Sequence, residues 1–475
     1  MMQSTDVHIM SAARDRSRTQ SLCPVCLKRL PARRIAAGHE VLLVKCCPEH
    51  GEFRTPIWRG DPLFDQWDRP KIPVQPPLLF KDAEKGCPFD CGLCPDHRQR
   101  SCTVIVEVTQ RCDLACPVCY AAAPANQPDP SLDAVDALLR KAVQAGPGCN
   151  IQLSGGEPTM RDDLPAIVAR GRELGLEFIQ INTNGLRLGR DRAFVKALKA
   201  AGLASVFLQY DGTADEIYHR LRGRSLVQAK HAAIQACAEQ GIGVVLVPTL
   251  VPGVNTDNIG AILQTALSWI PAVRGVHFQP VSYFGRYPGA PDEKRRITLP
   301  EVMRAIENQS DGLFRTTHFG PPGCENALCS FNGQFMQLPG GKVVSLRSFD
   351  SQSCCSAPIK ADAGAARAMA AVARQWAGRG EGAKASERVG GCACGAGAAP
   401  PARSEGAALM SLDDFIERAR THTFSISAMA FQDAWNLALD RVRDCCIHIF
   451  SPDGRLIPFC LYNLTAADGR RLYRQ

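Results

Sequence analysis

Six short apolar runs between residues 103 and 281 alternate with stretches long enough for a helix, and this alternation constrains the fold more than any other feature. The runs are TVIVEVT (103–109), NIQLSGG (150–156), EFIQINTNG (177–185), SVFLQYDG (205–212), GVVLVPTL (243–250) and GVHFQPV (275–281). Helical patterns such as 131–146, 162–175 and 225–241 lie between them. Strands this apolar suit burial on both faces. The expected fold class is therefore α/β, a parallel sheet covered by crossover helices that forms a partial or full β/α barrel over 103–290. In such barrels chemistry gathers at the C-terminal strand ends.

The flanks differ in texture. Residues 1–20 read as a mobile polar terminus, and 21–102 as a Cys-rich metal-binding region whose prolines (RPKIPVQPPLLF) argue against regular structure. After the barrel, 291–355 carries further cysteines, 356–410 is an Ala/Gly-rich insertion, and 411–475 returns to a folded texture. In that tail Phe431, Trp435, Leu439 and Val442 fit one helical face, and CIHIFSPDGRLIPFC fits two short strands around a turn.

The chain holds 22 cysteines, too many for an ordinary globular protein. A disulfide framework belongs to short secreted chains, and the first twenty residues have no apolar secretory core, so a cytoplasmic location is expected. No run has the ~20 apolar residues of a membrane span. The net charge of +8 is spread along the chain with only short basic knots, such as 294–296. Nucleic acid is therefore not an expected partner, whereas an acidic small molecule or an anionic lipid headgroup fits, and a peripheral membrane contact stays open.

Cys112, Cys116 and Cys119 repeat the C-x3-C-x2-C spacing of Cys87, Cys91 and Cys94. Three thiolates so spaced can wrap three corners of an iron-sulfur cubane and leave one iron open; a structural zinc is the alternative. Only the later triad follows a predicted barrel strand. Cys23-Pro-Val-Cys26 and Cys46-Cys47-Pro-Glu-His50 have the spacing of a split knuckle for a single iron or zinc ion, with the choice within the Cys46–Cys47 doublet open.

TQRCDLACPVCY resembles the cluster-binding motif of radical S-adenosylmethionine (SAM) enzymes, with Tyr120 as the aromatic residue after the third cysteine. The resemblance implies a partial (β/α)6 barrel, a catalytic [4Fe-4S] cluster on Cys112, Cys116 and Cys119, and SAM on its open iron. It also implies that Ser154, Gly155, Gly156 and Glu157 contact the SAM amino group, and that Asn182, Asn184 and Asp211 are further SAM or substrate contacts. Over 21–355 and 422–465 the chain is similar to a narrower branch, that of the tetraether lipid synthases and a dihydropterin methyltransferase. That likeness implies an auxiliary [4Fe-4S] cluster on Cys87, Cys91 and Cys94, a rubredoxin-like or zinc site on Cys23, Cys26 and Cys47, and remaining ligands among Cys324, Cys329, Cys354 and Cys460 in a C-terminal auxiliary-cluster region.

The implied reaction is cleavage of SAM to a 5'-deoxyadenosyl radical and hydrogen abstraction from an unactivated carbon. It would serve carbon-carbon bond formation or methylation on a lipid chain or a small molecule such as a pterin. A ferredoxin or flavodoxin would donate electrons. A peptide-modifying maturase and a non-catalytic iron-sulfur redox sensor are the alternative readings.

Overall fold

The computed structural model describes residues 14–122, 127–287, 291–346, 358–378 and 411–474. Cys354 and most of the Ala/Gly-rich insertion lie outside them.

Strands β1 (Arg14–Leu22), β2 (Arg29–Ala37), β3 (Glu40–Cys47) and β4 (Gly51–Arg59) form an antiparallel sheet in that order. This corrects the expected mobile terminus, since residues 14–20 are strand, and it corrects the expectation of irregular chain from residue 21. The run RDRSRTQSL has no apolar alternation to announce a strand; pairing with β2 and bonds to the tail hold it instead. Asp440 accepts from Thr19 at 2.6 Å, and its two carboxylate oxygens accept from Arg34 Nη2 at 2.8 and 2.7 Å. From 60 to 102 the chain is mostly irregular, as its prolines require, apart from β5 (Lys71–Ile72).

The six runs become β6 (Thr103–Thr109), β7 (Asn150–Gly155), β8 (Ile179–Thr183), β9 (Ser205–Gln209), β10 (Gly243–Val247) with β11 (Thr249–Leu250), and β12 (Val273–Pro280). They pair in parallel in the order β6-β7-β8-β9-β10-β12. Helices α1 (Leu132–Ala145), α2 (Leu164–Glu173), α3 (Leu186–Arg190), α4 (Arg192–Ala200), α5 (Asp215–Arg222), α6 (Val227–Glu239) and α7 (Ile259–Ser268) make the connections. Ser131 starts α1 by accepting from the Ala134 amide, and a left-handed Gly223 ends α5. Alternate strand residues such as Val104, Val106, Ile151, Leu153, Ile181, Val206, Leu246 and Val276 pack under the helices as one core.

The remaining elements are α8 (Leu299–Gln309), β13 (Ser330–Gln337), β14 (Val343–Ser345), β15 (Ile359–Lys360), α9 (Ala361–Trp376), α10 (Leu412–Thr421), β16 (Thr423–Met429), α11 (Leu439–Arg443), β17 (Ile447–Phe450), β18 (Leu456–Pro458) and α12 (Phe459–Tyr462). Strand β16 joins β12 in parallel, and β17 joins β6 in parallel, so the tail occupies both edges of the six-stranded core. The paired β17 and β18 match the expected strands around the turn. The expected helical face does not form as such. Only α11 is helical there, and Phe431 and Trp435 lie in the irregular run before it, where the buried carboxylate of Asp433 takes up backbone donors at 435 and 283.

Asp433 also receives both Arg296 nitrogens at 2.9 Å, and neither side chain reaches solvent appreciably. Replacing Arg296 by Met leaves that carboxylate buried without its cation. The expected cost is about 3–5 kcal/mol of unfolding free energy, read as a lower denaturant midpoint.

Candidate active site and metal centres

The loop after β6 carries Cys112, Cys116 and Cys119, and several fixed contacts shape it. Arg111 forks onto Asp129, the Asn184 amide donates to Asp113 at 2.6 Å, and Cys119 exchanges backbone bonds with Arg286 at 2.9 and 3.0 Å. Arg222 donates to the Val118 carbonyl at 2.8 Å and lies beside the Cys116 thiol. Burial pushes that thiol up and the guanidinium opposes the push, so a metal ion that displaces the proton finds a countercharge ready. All three thiols are free and line one end of a cavity of about 620 Å³. Three soft donors on one short loop fit a cubane that keeps an open corner.

Gly155 and Gly156 sit where β7 meets this loop. Gly155 has φ +126°, and a Cβ there would overlap the Thr109 carbonyl oxygen; one on Gly156 would overlap that of Arg111. The same carbonyls accept from the Gly156 and Glu157 amides at 2.8 and 2.7 Å. The glycines are thus required first by the cluster loop itself, although both also line the cavity. The Glu157 carboxylate is buried and accepts from Thr159 N (3.0 Å), Thr159 Oγ1 (2.6 Å), Thr183 Oγ1 (2.6 Å) and Asn184 N (2.6 Å). Burial raises its pKa, and these four donors pull the other way. It therefore ties the ends of β7 and β8 together in addition to facing the cavity. Asn184 lines the cavity too, with its carbonyl held at 2.6 Å by the buried amine of Lys230, whose pKa burial pushes down to about 7.

Asp211 departs from its expected role. It is fully buried away from the cavity lining and grips Arg222 through two bonds at 2.7 and 2.9 Å. Its charge positions the arginine that braces the cluster loop, and in this structure it lines no part of the cavity.

The barrel interior shows a feature that the motif reading missed. Side chains on the inward phase of the strands are largely polar, and their amides run in one direction. Asn182 Nδ2 donates to Gln152 Oε1 (3.4 Å), Gln152 Nε2 to Gln180 Oε1 (3.0 Å), Gln180 Nε2 to Ser205 Oγ (3.0 Å), and Ser205 Oγ to the Gly243 carbonyl (3.2 Å). Asn182 Oδ1 ends the relay as a buried acceptor without a partner among the described residues. Tyr120 and Ser154 share a hydroxyl contact of 3.0 Å beside it. Phe207, His277 and Trp376 form an aromatic group on the cavity wall, with ring centres 5.3–6.1 Å apart. A period-two reading of each strand, taken for polar rather than apolar residues, is the signal that would have found the relay.

The knuckle gathers four ligands. Cys23, Cys26 and Cys47 are joined by His50, all ligand atoms lying within 4.8 Å of one another, whereas Cys46 points to solvent. His50 lies 3.4 Å from the Cys47 sulfur and holds that thiol down to about 6. A Cys3His set of this size fits one tetrahedral ion. Cys87, Cys91 and Cys94 are also brought together: the Cys91 thiol bonds Cys87 and, with Arg443, draws the Cys87 pKa down. The tail caps this triad, with Tyr473 Oη accepting from the Cys91 amide at 3.1 Å and Arg455 donating to the Cys91 carbonyl at 3.1 Å.

The last expected ligand group is divided. Cys324 is paired in a disulfide with Cys102, a residue the sequence reading left out. The Cys329 sulfur accepts from Arg441 at 3.3 Å and that of Cys460 from the Gln432 amide at 3.2 Å, and the two thiols lie near enough to each other and to Cys445 to interact electrostatically. Cys354 is outside the described residues.

Two substitutions test these placements. Gly156→Ala should drive the cluster loop off its seat, so that iron and acid-labile sulfide both fall by one cluster per chain in anaerobically reconstituted protein. His50→Ala should leave cluster absorbance unchanged while one ion per chain becomes removable by a chelator that spares the wild type, as measured by elemental analysis.

Comparison with known proteins accords with this geometry. Residues 106–266 match the Radical SAM superfamily, and residues 16–59 match the HMPTM N-terminal zinc ribbon domain. The chain is 33% identical over 484 residues to the 7,8-dihydro-6-hydroxymethylpterin dimethyltransferase of Methanocaldococcus jannaschii, covering 94% of this chain and 93% of that protein. It is 36% identical over 226 residues to the Fe-coproporphyrin III synthase of Methanosarcina barkeri, covering 46% of this chain and 54% of that one. Among solved structures, Streptococcus suis SuiB bound to precursor peptide SuiA aligns with a TM-score of 0.38 at 16% identity, over 46% of this chain and 47% of that one. The protein therefore belongs to the radical SAM superfamily and, within it, to the family of the 7,8-dihydro-6-hydroxymethylpterin dimethyltransferase.

Proposed function

We propose that the protein is a radical SAM methyltransferase that acts on a carbon of a small, flat, nitrogen-rich heterocycle of the pterin type. The amide-bearing wall carries this reading: Asn182, Gln152 and Gln180 line the cavity, so a ring edge with N–H and carbonyl groups meets polar partners there while the faces of Phe207, His277 and Trp376 accept the ring plane. A lipid chain would bring no polar edge to these amides and would set apolar surface against a polar wall. Kinship with a protein named as a dihydropterin dimethyltransferase supports the same substrate class.

Cys112, Cys116 and Cys119 would hold the [4Fe-4S] cluster, which with SAM supplies one-electron cleavage of a carbon–sulfur bond. Arg222 offsets the thiolate charge, and Asp211 keeps Arg222 in place. The Gly155–Gly156 backbone and the hydroxyls of Tyr120 and Ser154 line the wall next to the thiols, where the amino acid end of SAM would lie. His277 is held by Ser427 at 2.8 Å, and burial pushes its pKa down to about 4, so it stays neutral and does not repel a sulfonium. A ferredoxin or flavodoxin would serve as the one-electron donor.

Anaerobic reconstitution with SAM, reductant and either a dihydropterin or a lipid extract tests the reading by mass spectrometry. The dihydropterin should gain one or two methyl groups. Asn182→Leu should weaken pterin use by about 10–100-fold, the value of a buried hydrogen bond of roughly 1–3 kcal/mol, chiefly through KM. A mass gain confined to the lipid extract would sink the proposal.

A further inference from the structure

We propose that Cys102, Cys324 and Cys446, once reduced, form a site for a single thiophilic metal ion, ferrous iron or zinc, at the floor of the barrel. The inference stands apart from the substrate reading, and these residues differ from the knuckle and from both C-x3-C-x2-C triads.

The three sulfurs come from three separate segments and lie within 4.8 Å of one another. Cys102 immediately precedes β6, and Cys446 immediately precedes β17, its parallel neighbour. The Cys446 carbonyl accepts from the Cys102 and Thr103 amides at 2.8 and 3.2 Å, which fixes the two residues side by side. Cys324 arrives on the loop before β13, and that loop is pinned. Lys71 donates to the Cys324 carbonyl at 2.7 Å and to the Glu325 carbonyl, and Gln99 donates to the Cys324 carbonyl at 3.0 Å. All three cysteines are buried, and all three line the cavity, which gives an ion a route in.

Metal–sulfur bonds of ~2.3 Å set tetrahedral thiolates about 3.8 Å apart, a spacing that lies inside the 4.8 Å enclosing the three sulfurs and that the Cys102–Cys324 pair can take up once its bond is opened; a cubane, whose ligands sit on separate irons, needs a wider one. A fourth ligand is at hand in Glu325, with Oε2 3.8 Å from the Cys446 sulfur. The Lys71 amine beside the group offsets part of the ligands' negative charge. The Cα atoms of Cys102 and Cys324 are 7.4 Å apart, wider than the roughly 4.4–6.8 Å of ordinary disulfides, so a shared ion suits their separation better than a direct bond. Opening that bond takes two electrons and two protons from a dithiol reductant, and binding of a divalent ion then releases the three thiol protons. Being at the opposite end of β6 from Cys112, roughly 23 Å away at ~3.3 Å per residue, the ion would clamp the tail strand to the barrel and take no part in the SAM cluster.

The test counts metal in excess of acid-labile sulfide in full-length protein purified anaerobically with dithiothreitol, because [4Fe-4S] clusters contribute iron and sulfide equally. Wild type should carry two excess ions, Cys26→Ala one, and Cys26→Ala combined with Cys446→Ser none. No excess ion in Cys26→Ala overturns the proposal and needs no folding of the double variant. Loss of a whole cluster's iron and sulfide in Cys446→Ser overturns it as well, as does a Cys102–Cys324 bridge that peptide mapping still finds after the dithiol.

Discussion

The ends of β6 and β7 touch backbone to backbone, with the Thr109 and Arg111 carbonyls seated on the Gly155–Gly156 peptides, and the catalytic loop takes its shape from that contact. Any side chain at either glycine fills the space that the carbonyls occupy. Glu157 extends the contact to a third strand by collecting donors from Thr159, Thr183 and Asn184. The carboxylate is out of water, so each of these hydrogen bonds acts in a low dielectric where it is strong and where its loss is costly. The thiols of the loop are therefore presented by a frame whose parts are the ends of parallel strands, and strands buried on both faces move little relative to one another.

Charge inside this frame is matched in pairs. Arg222 and Asp211 are both buried and face each other, with the cluster loop on the arginine's other side. Such a pair contributes little net stability, because desolvating two ions offsets most of their attraction. Its value is positional: the guanidinium has one place to go, and that place is beside Cys116. Arg296 and Asp433 do the same for the segment that leads the tail back onto the barrel.

Much of this was legible in the sequence because it is local. The six apolar runs became parallel strands whose ends either coincide with the runs or lie within three residues of them, and the C-x3-C-x2-C loop and Ser-Gly-Gly-Glu-Pro turn stand where strand ends put them. What could not be read depends on partners far away in the chain. The polar strand β1 owes its existence to β2 and to Asp440, and a one-dimensional pattern gives no sign of either. Asp211 looks like a ligand contact until Arg222 is placed beside it. His50 was visible in the CCPEH motif yet went uncounted as a ligand, and Cys102 had no motif at all, because its neighbours are 222 residues away at Cys324 and farther still at Cys446.

The two borders of the parallel sheet are both taken by chain that comes after residue 420, β16 against β12 and β17 against β6. A ribosome thus releases every barrel strand before either border partner exists. The nascent barrel must wait with two bare edges, a state prone to pairing with other chains. The sheet that frames the cluster loop is therefore closed at its borders only once residues 423–450 have been made, so the loop gains its final frame long after its cysteines have been synthesised.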